Sequence, residues 1–252
     1  MIRRALVTGG AGGLAAGIAP LLAGDGFETV AITYRNTAPD ATLAAIRAAG
    51  ARAAATRVEF LDAPGAIAAA LEETVKRDGP FDTLVHAVGP IVVKRFERLS
   101  LDDYAEIVDG NVRSAVLAAR AVLPAMREAG FGRVVFFGSL GAATTQPFRG
   151  FAFYQAAKSA LTAFARCLAL EEARHGVTVN VVLPGDIRDK SIRRTPALQR
   201  TAPVPRGRPG SYEDVADAVR FLVALERDFV TGAVLEVTGG LTQADERNER
   251  NP

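Results

Sequence analysis

Short apolar runs alternate with segments of helical spacing along almost all of this 252-residue chain. Residues 4–8, 28–34, 52–58, 81–87, 133–137, 177–183 and 233–237 read as strands. Between them, 15–22, 38–51, 63–76, 101–127, the stretch around Tyr154, and 213–225 read as helices. Strands covered on both faces are apolar without a break, and strands that alternate with helices pair in parallel. The pattern predicts an α/β fold: a doubly wound parallel sheet of about seven strands, with helices on both faces. No linker or repeat interrupts it. Residues 1–242 therefore read as one domain, and 243–252 as a polar tail.

Composition narrows the function classes. At 49% hydrophobic and 23% charged residues, the chain is core-forming. A net charge of +2 gives no argument for a nucleic-acid partner. No stretch reaches the roughly 18 apolar residues of a membrane span. Met1-Ile2-Arg3-Arg4 runs straight into a strand, without the apolar region of a signal peptide, so a cytoplasmic location is expected. Cys167 has no disulfide partner, and its apolar surroundings make it read as a small buried hydrophobe. His86 and His175 are far apart, and no metal site is expected.

Three stretches carry chemistry. Thr8-Gly9-Gly10-Ala11-Gly12-Gly13-Leu14 stands between a strand and a helix. Glycines let the backbone approach a ligand, and the helix N-terminus offers free N–H groups to a pyrophosphate. A ligand-free tight turn needs fewer than four glycines in five positions. The second strand ends Thr33-Tyr34-Arg35-Asn36, with no Asp or Glu. An acidic residue there takes a ribose 2′-hydroxyl, whereas an Arg with no carboxylate beside it suits a 2′-phosphate. NADP(H) is expected over NAD, the plain alternative being a solvated Arg35. Finally, Tyr154 and Lys158 share one face of a helix. An ammonium beside a phenol favours the phenolate and lowers a pKa that is ordinarily about 10. Such a phenol exchanges protons near neutral pH. An ordinary helical pair would look the same, but the chain has only 4 Tyr, and its 30 basic residues are nearly all Arg.

With Ser139 placed upstream of this pair, the chain resembles the short-chain dehydrogenase/reductase family over essentially its whole length. The family's Thr-Gly-x-x-x-Gly-hydrophobic-Gly is Thr8-Gly9-Gly10-Ala11-Gly12-Gly13-Leu14 here, with Ala15 for the last Gly. Its Asn-Asn-Ala-Gly becomes His86-Ala87-Val88-Gly89, a departure that keeps Gly89 in place and an Ala one position early, at Ala87. Asn111 matches the family's helix Asn, Gly138-Ser139 its catalytic Ser, and Tyr154-x-x-x-Lys158 its Tyr and Lys. Pro184-Gly185, Val230-Thr231-Gly232 and Thr238-Gly239-Gly240 follow in order. The resemblance implies a Rossmann fold and a catalytic set of Asn111, Ser139, Tyr154 and Lys158. Tyr154 would protonate a carbonyl oxygen, and Ser139 would hydrogen-bond it. Lys158 would lower the Tyr154 pKa and hold the nicotinamide ribose, and Asn111 would hold a relay water. Thr8, Gly9, Gly10, Gly12, Gly13, Leu14, Arg35, Glu59, Ala87, Gly89, Tyr154, Lys158, Pro184, Gly185 and Ile187 would bind the cofactor. Glu59 stands where the family often has an Asp near the adenine. Asp186-Ile187-Arg188-Asp189 replaces the usual hydroxyl residue, so either Asp189 turns away from a pyrophosphate, paired with a neighbouring Arg, or this loop meets the cofactor differently.

The segment after Gly185 should form a lid over the substrate. It holds Arg188, Lys190, Arg193, Arg194, Arg200, Arg206 and Arg208 near Asp189, with Ser191 among them. These charges would attract an anionic substrate or carrier, or simply solvate a loop. Overall pattern is nearest the 3-oxoacyl-[acyl-carrier-protein] reductases, which meet an acidic carrier through basic residues. Arg127 and Arg174 occupy comparable places. The resemblance thus implies an NADPH-dependent ketone reductase acting on a 3-oxoacyl thioester, and a homotetramer. A reductase of another small carbonyl (polyketide, sugar or pterin) and a non-catalytic nucleotide-binding regulator are the alternatives.

Overall fold

The structure is a computed structural model and describes residues 2–189 and 204–241. Lys190, Ser191, Arg193, Arg194, Arg200 and the tail 243–252 lie outside the described residues. In chain order the elements are β1 (Arg4–Thr8), α1 (Gly13–Gly24), β2 (Thr29–Tyr34), α2 (Asp40–Ala48), β3 (Arg52–Arg57), α3 (Pro64–Asp78) and β4 (Thr83–His86). Then come α4 (Leu101–Val108), a π turn (Asp109–Arg113), α5 (Ser114–Ala129), β5 (Gly132–Phe137), α6 (Ala152–Glu172) and β6 (Val177–Pro184). The chain closes with β7 (Ile187–Asp189), β8 (Gly210–Ser211), α7 (Tyr212–Val223) and β9 (Val234–Val237).

Seven strands form one sheet in the order β3-β2-β1-β4-β5-β6-β9, every pair parallel. Successive strand residues take opposite faces. Ala5, Val7, Val30, Ile32, Val85 and Val135 pack with Ile18 and Leu22 of α1 and Val215 and Val219 of α7. Leu6, Ala31, Leu84, Val134 and Phe136 pack with Ala118 and Val122 of α5 and Leu161 and Ala165 of α6. Burying each large apolar side chain contributes about 1.5–3 kcal/mol. A one-residue slip would exchange the two faces, so these runs fix the strand positions. The strand order reverses between β1 and β4, and such a switch point opens a crevice at the carboxyl ends of those strands.

The edge opposite that crevice is tied down by two arginines. Arg133, 1% exposed, donates to the carbonyls of Ala224 and Leu225, and Arg3 donates to that of Val223 while pairing with Asp82. They occupy carbonyls that the end of α7 leaves open.

Two sequence expectations change, and one feature is new. The helix expected over 101–127 is α4 and α5 separated by the π turn. Gly110 costs helix propensity there, and the Asn111 side chain competes for the Ile107 carbonyl at 2.8 Å. Cys167 is exposed rather than buried, because it falls on the outward face of α6 while Leu168 turns inward. A short parallel pairing of β7 with β8, joining the segment after Gly185 to the start of α7, had no signal in the sequence.

Candidate active site

The glycine turn joins β1 to α1 at the crevice. Gly9 and Gly13 take positive φ, 72° and 54°, which a side chain rarely adopts. A Cβ on Gly10 would lie 2.5 Å from Ile32 Cβ, so only glycine lets the turn close against β2. Among the described residues, Cβ atoms on Gly12 and Gly13 would meet nothing within 4 Å, so the backbone there is open. The N-terminus of α1 carries no side-chain cap and no acidic residue in its first turn. By contrast, α4 and α7 both start with complete capping boxes, Ser100 with Asp103 and Ser211 with Asp214. An uncapped, open helix start with its N–H groups free is a donor set that fits a pyrophosphate.

Asn111, Ser139, Tyr154 and Lys158 come together at the same crevice. A Cβ on Gly89 would lie 2.6 Å from Asn111 Oδ1 and 2.8 Å from Lys158 Nζ, so both groups converge on one point beside β4. Asn111 donates from Nδ2 to Pro90 O and Ile107 O, and its buried Oδ1 has no partner among the described residues. Lys158 donates to Phe137 O at 2.7 Å and lies 5.7 Å from the centre of the Tyr154 ring. Ser139, two residues past the end of β5, donates its hydroxyl to Gln155 Oε1 at 3.0 Å. Gln155 in turn donates to Leu140 O, an orienting contact the sequence reading missed. Phe151 stands against Tyr154 with centroids 6.1 Å apart, and Phe148 against Phe151 at the same spacing.

Burial reverses the expected electrostatics of the Tyr–Lys pair. Desolvation pushes the Tyr154 phenol up to about 12 instead of down. Desolvation also brings Lys158, 4% exposed, down to about 7. A lysine that is half neutral near pH 7 cannot exert a full charge on its neighbour, so burial wins over the helical-pair attraction. The arrangement therefore holds an un-ionised phenol that can donate a proton. Beside it stands an amine that gains or loses one near neutrality.

The cofactor candidates are placed unevenly. Thr8 receives the Ala87 N–H on its Oγ1, and a Cβ on Gly9 would lie 3.5 Å from the Ala87 backbone, so the turn and the end of β4 touch. Gly185 passes so close to β9 that a Cβ would lie 2.8 Å from Thr238 Cα. Leu14 and Ile187 pack against the core. Arg35 does have a carboxylate beside it, contrary to expectation: Glu59 Oε2 accepts from its Nε. Parallel pairing of β2 with β3 brings the two strand ends together, Tyr34 opposite Arg57. Arg57 also donates to Arg35 O.

In the described part of the segment after Gly185, Arg188 pairs with Asp186 and Arg208 with Asp214, so its positive charge is partly compensated. Arg127 pairs with the buried Glu172, and with Arg174 it lines a depression of about 490 Å³ shared with Leu170, Glu171 and His175. Among the described residues, no three His, Cys, Asp or Glu side chains are grouped to hold a metal ion.

A family model described as enoyl-(acyl carrier protein) reductase matches residues 9–242. The chain is also 33% identical over 240 residues to the 3-oxoacyl-[acyl-carrier-protein] reductase FabG of Escherichia coli (strain K12), covering 94% of this chain and 96% of that protein. The chain is a short-chain dehydrogenase/reductase. This family of oxidoreductases acts between CH–OH and C=O with nicotinamide cofactors. Its members differ in substrate. Another relative, 32% identical with 94% of each chain covered, is the 2,5-dichloro-2,5-cyclohexadiene-1,4-diol dehydrogenase LinX of Sphingobium indicum. The acetoin dehydrogenase YohF of Salmonella typhimurium superposes with a TM-score of 0.86 at 28% identity, covering 95% of this chain and 96% of that one. Among the described residues no helix is long and apolar enough to cross a membrane.

Proposed function

We propose that this short-chain dehydrogenase/reductase uses NADPH to reduce a ketone to a secondary alcohol, and that the ketone is a 3-oxoacyl thioester on an acyl carrier protein. The observation that carries the chemistry is the convergence of Lys158 and Asn111 beside Gly89, next to an un-ionised Tyr154 and the Ser139 hydroxyl. A dinucleotide whose pyrophosphate sat at the open glycine turn would supply hydride from its nicotinamide. Tyr154 gives its proton to the ketone oxygen as charge develops there. Ser139 turns its hydroxyl from Gln155 to that oxygen, adding a second donor. Lys158, poised near neutrality, returns a proton to Tyr154, and Asn111 faces the same point with an unused acceptor. Removing any of the four costs turnover without abolishing dinucleotide binding.

NADP is favoured because the end of β2 carries Arg35 and no acid, with Arg57 alongside. The Glu59 carboxylate on Arg35 Nε weighs against this, since it offsets part of the guanidinium charge, while Arg57 supplies a second positive charge beside it. The thioester reading rests on the 33% identity to the Escherichia coli reductase over nearly the whole chain. A second reading, reduction of a small apolar ketone without a carrier, is favoured by the Phe148–Phe151 rings against Tyr154 and by the Arg127–Glu172 pair, which neutralises one candidate carrier contact. A cytoplasmic homotetramer belongs to the same proposal. The deciding experiment follows NADPH oxidation across ketone classes. Turnover of acetoacetyl thioester is expected. Turnover of other ketones alone would defeat the carrier reading, and none with any ketone would defeat the reductase reading.

A further inference from the structure

His86 departs from the family pattern, and its tautomer follows from the donors around it. Ser114 has one hydroxyl proton. Its Oγ lies 2.6 Å from the Gly110 carbonyl, which only accepts, so that proton is committed there. The same Oγ lies 3.0 Å from His86 Nε2, so the hydrogen in that contact belongs to the imidazole. Nδ1 is then bare and accepts from Thr8 Oγ1 at 2.8 Å. Every donor in the sequence Thr8–His86–Ser114–Gly110 is used once. The ring is 1% exposed and wedged between Phe60 and Phe136, with centroids 5.9 and 6.0 Å away. Burial holds its pKa at about 3, so it is neutral across the working pH range.

The two ends of this chain of bonds belong to different halves of the site. Thr8 is the foot of the glycine turn. Gly110 lies in the π turn immediately before Asn111, whose side chain faces Gly89 together with Lys158. We propose that His86 is a positioning residue: its ring is a two-ended strut that sets the spacing between the glycine turn and the π turn, and so places Asn111 relative to a bound dinucleotide. Asparagine has a shorter reach and bonds at one end only. The kinetic consequence rests on the ketone-reductase reading; the strut is a property of the free protein.

Ser114→Ala removes only the far end, and His86→Asn keeps only the Thr8 end. Each should lower kcat about fivefold to tenfold, with the NADPH dissociation constant from calorimetry within about twofold of wild type. The double variant should be no slower than the slower single variant, since both cut the same strut. Multiplying effects, or an unchanged kcat with only lower thermal stability, would overturn the proposal and leave the ring as core filler. Nitrogen-15 NMR of histidine-labelled protein reads the strut directly, because only His86 and His175 contribute. His86 should show the Nε2–H tautomer with no titration between about pH 5 and 9. An Nδ1–H tautomer or a titrating ring would overturn the strut. If the wild type reduced no ketone, the functional reading would fail while the NMR result still decided the strut.

Discussion

Replacing Lys158 by methionine should stabilise the cofactor-free protein, by an amount that shrinks as pH rises. The Lys158 amine is buried, and its pKa falls from 10.5 to about 7 on folding. Between those values the unfolded chain holds one proton more than the folded one. Wild-type unfolding free energy therefore rises with pH there, by about 1.36 kcal/mol per unit, relative to a variant without the group. Below pH 7 the full cost of burying the charge, roughly 5 kcal/mol, is in force. Methionine forfeits the bond to Phe137 O, worth about 1 kcal/mol. The variant should thus lead by several kcal/mol at pH 6.5, and that lead should fall by roughly 2.3 kcal/mol between pH 7 and 9. Tyr154, pushed up to about 12, stays protonated throughout this window and does not contribute to the slope. Urea unfolding of both proteins, followed by far-UV circular dichroism at four pH values, gives the difference. A gap that stays constant from pH 6.5 to 9 would refute the depressed pKa. A wild type more stable at every pH would refute burial as the governing cause.

Tyr154→Phe should lower turnover by about 10²–10⁴-fold while calorimetric cofactor affinity stays within about twofold; retained turnover would remove Tyr154 as proton donor. Arg35→Ala should weaken NADPH binding much more than NADH binding, and equal losses would end the 2′-phosphate role. Gly10→Ala would set a methyl 2.5 Å from Ile32 Cβ and should cost about 1–3 kcal/mol in urea unfolding. A silent result there would show that the turn can back away from β2.

What the sequence made legible was local and periodic. Apolar runs such as 177–183, the glycine turn and the Tyr154–Lys158 spacing each lie within one element or one turn, and the fold places them as the pattern implies. What it hid was long-range. The Glu59 carboxylate reaches Arg35 across 24 residues only because β2 and β3 pair in parallel. The partners of His86, Thr8 and Ser114, lie 78 and 28 residues away. Burial decided the direction of the Tyr154 shift, and burial is a property of the packed site that helical spacing does not express. The Gly110-Asn111 pair inside a long helical pattern was a visible warning of the π turn, since a poor helix former stands beside a side chain that competes for backbone carbonyls.

That turn makes chain length itself a constraint. A π turn is one residue inserted into an α-helix, and each residue turns a helix by about 100°. The insertion lets α4 bury Ile107 while α5 buries Ala115, Ala118, Val122 and Met126 along its own row. Removing one residue from 109–113 would close the ladder into a continuous helix. Either Asn111 would then swing off Gly89, or the inward row of α5 would rotate toward water. The number of residues between Ile107 and Ala115 is therefore held as firmly as the identity of Asn111 itself.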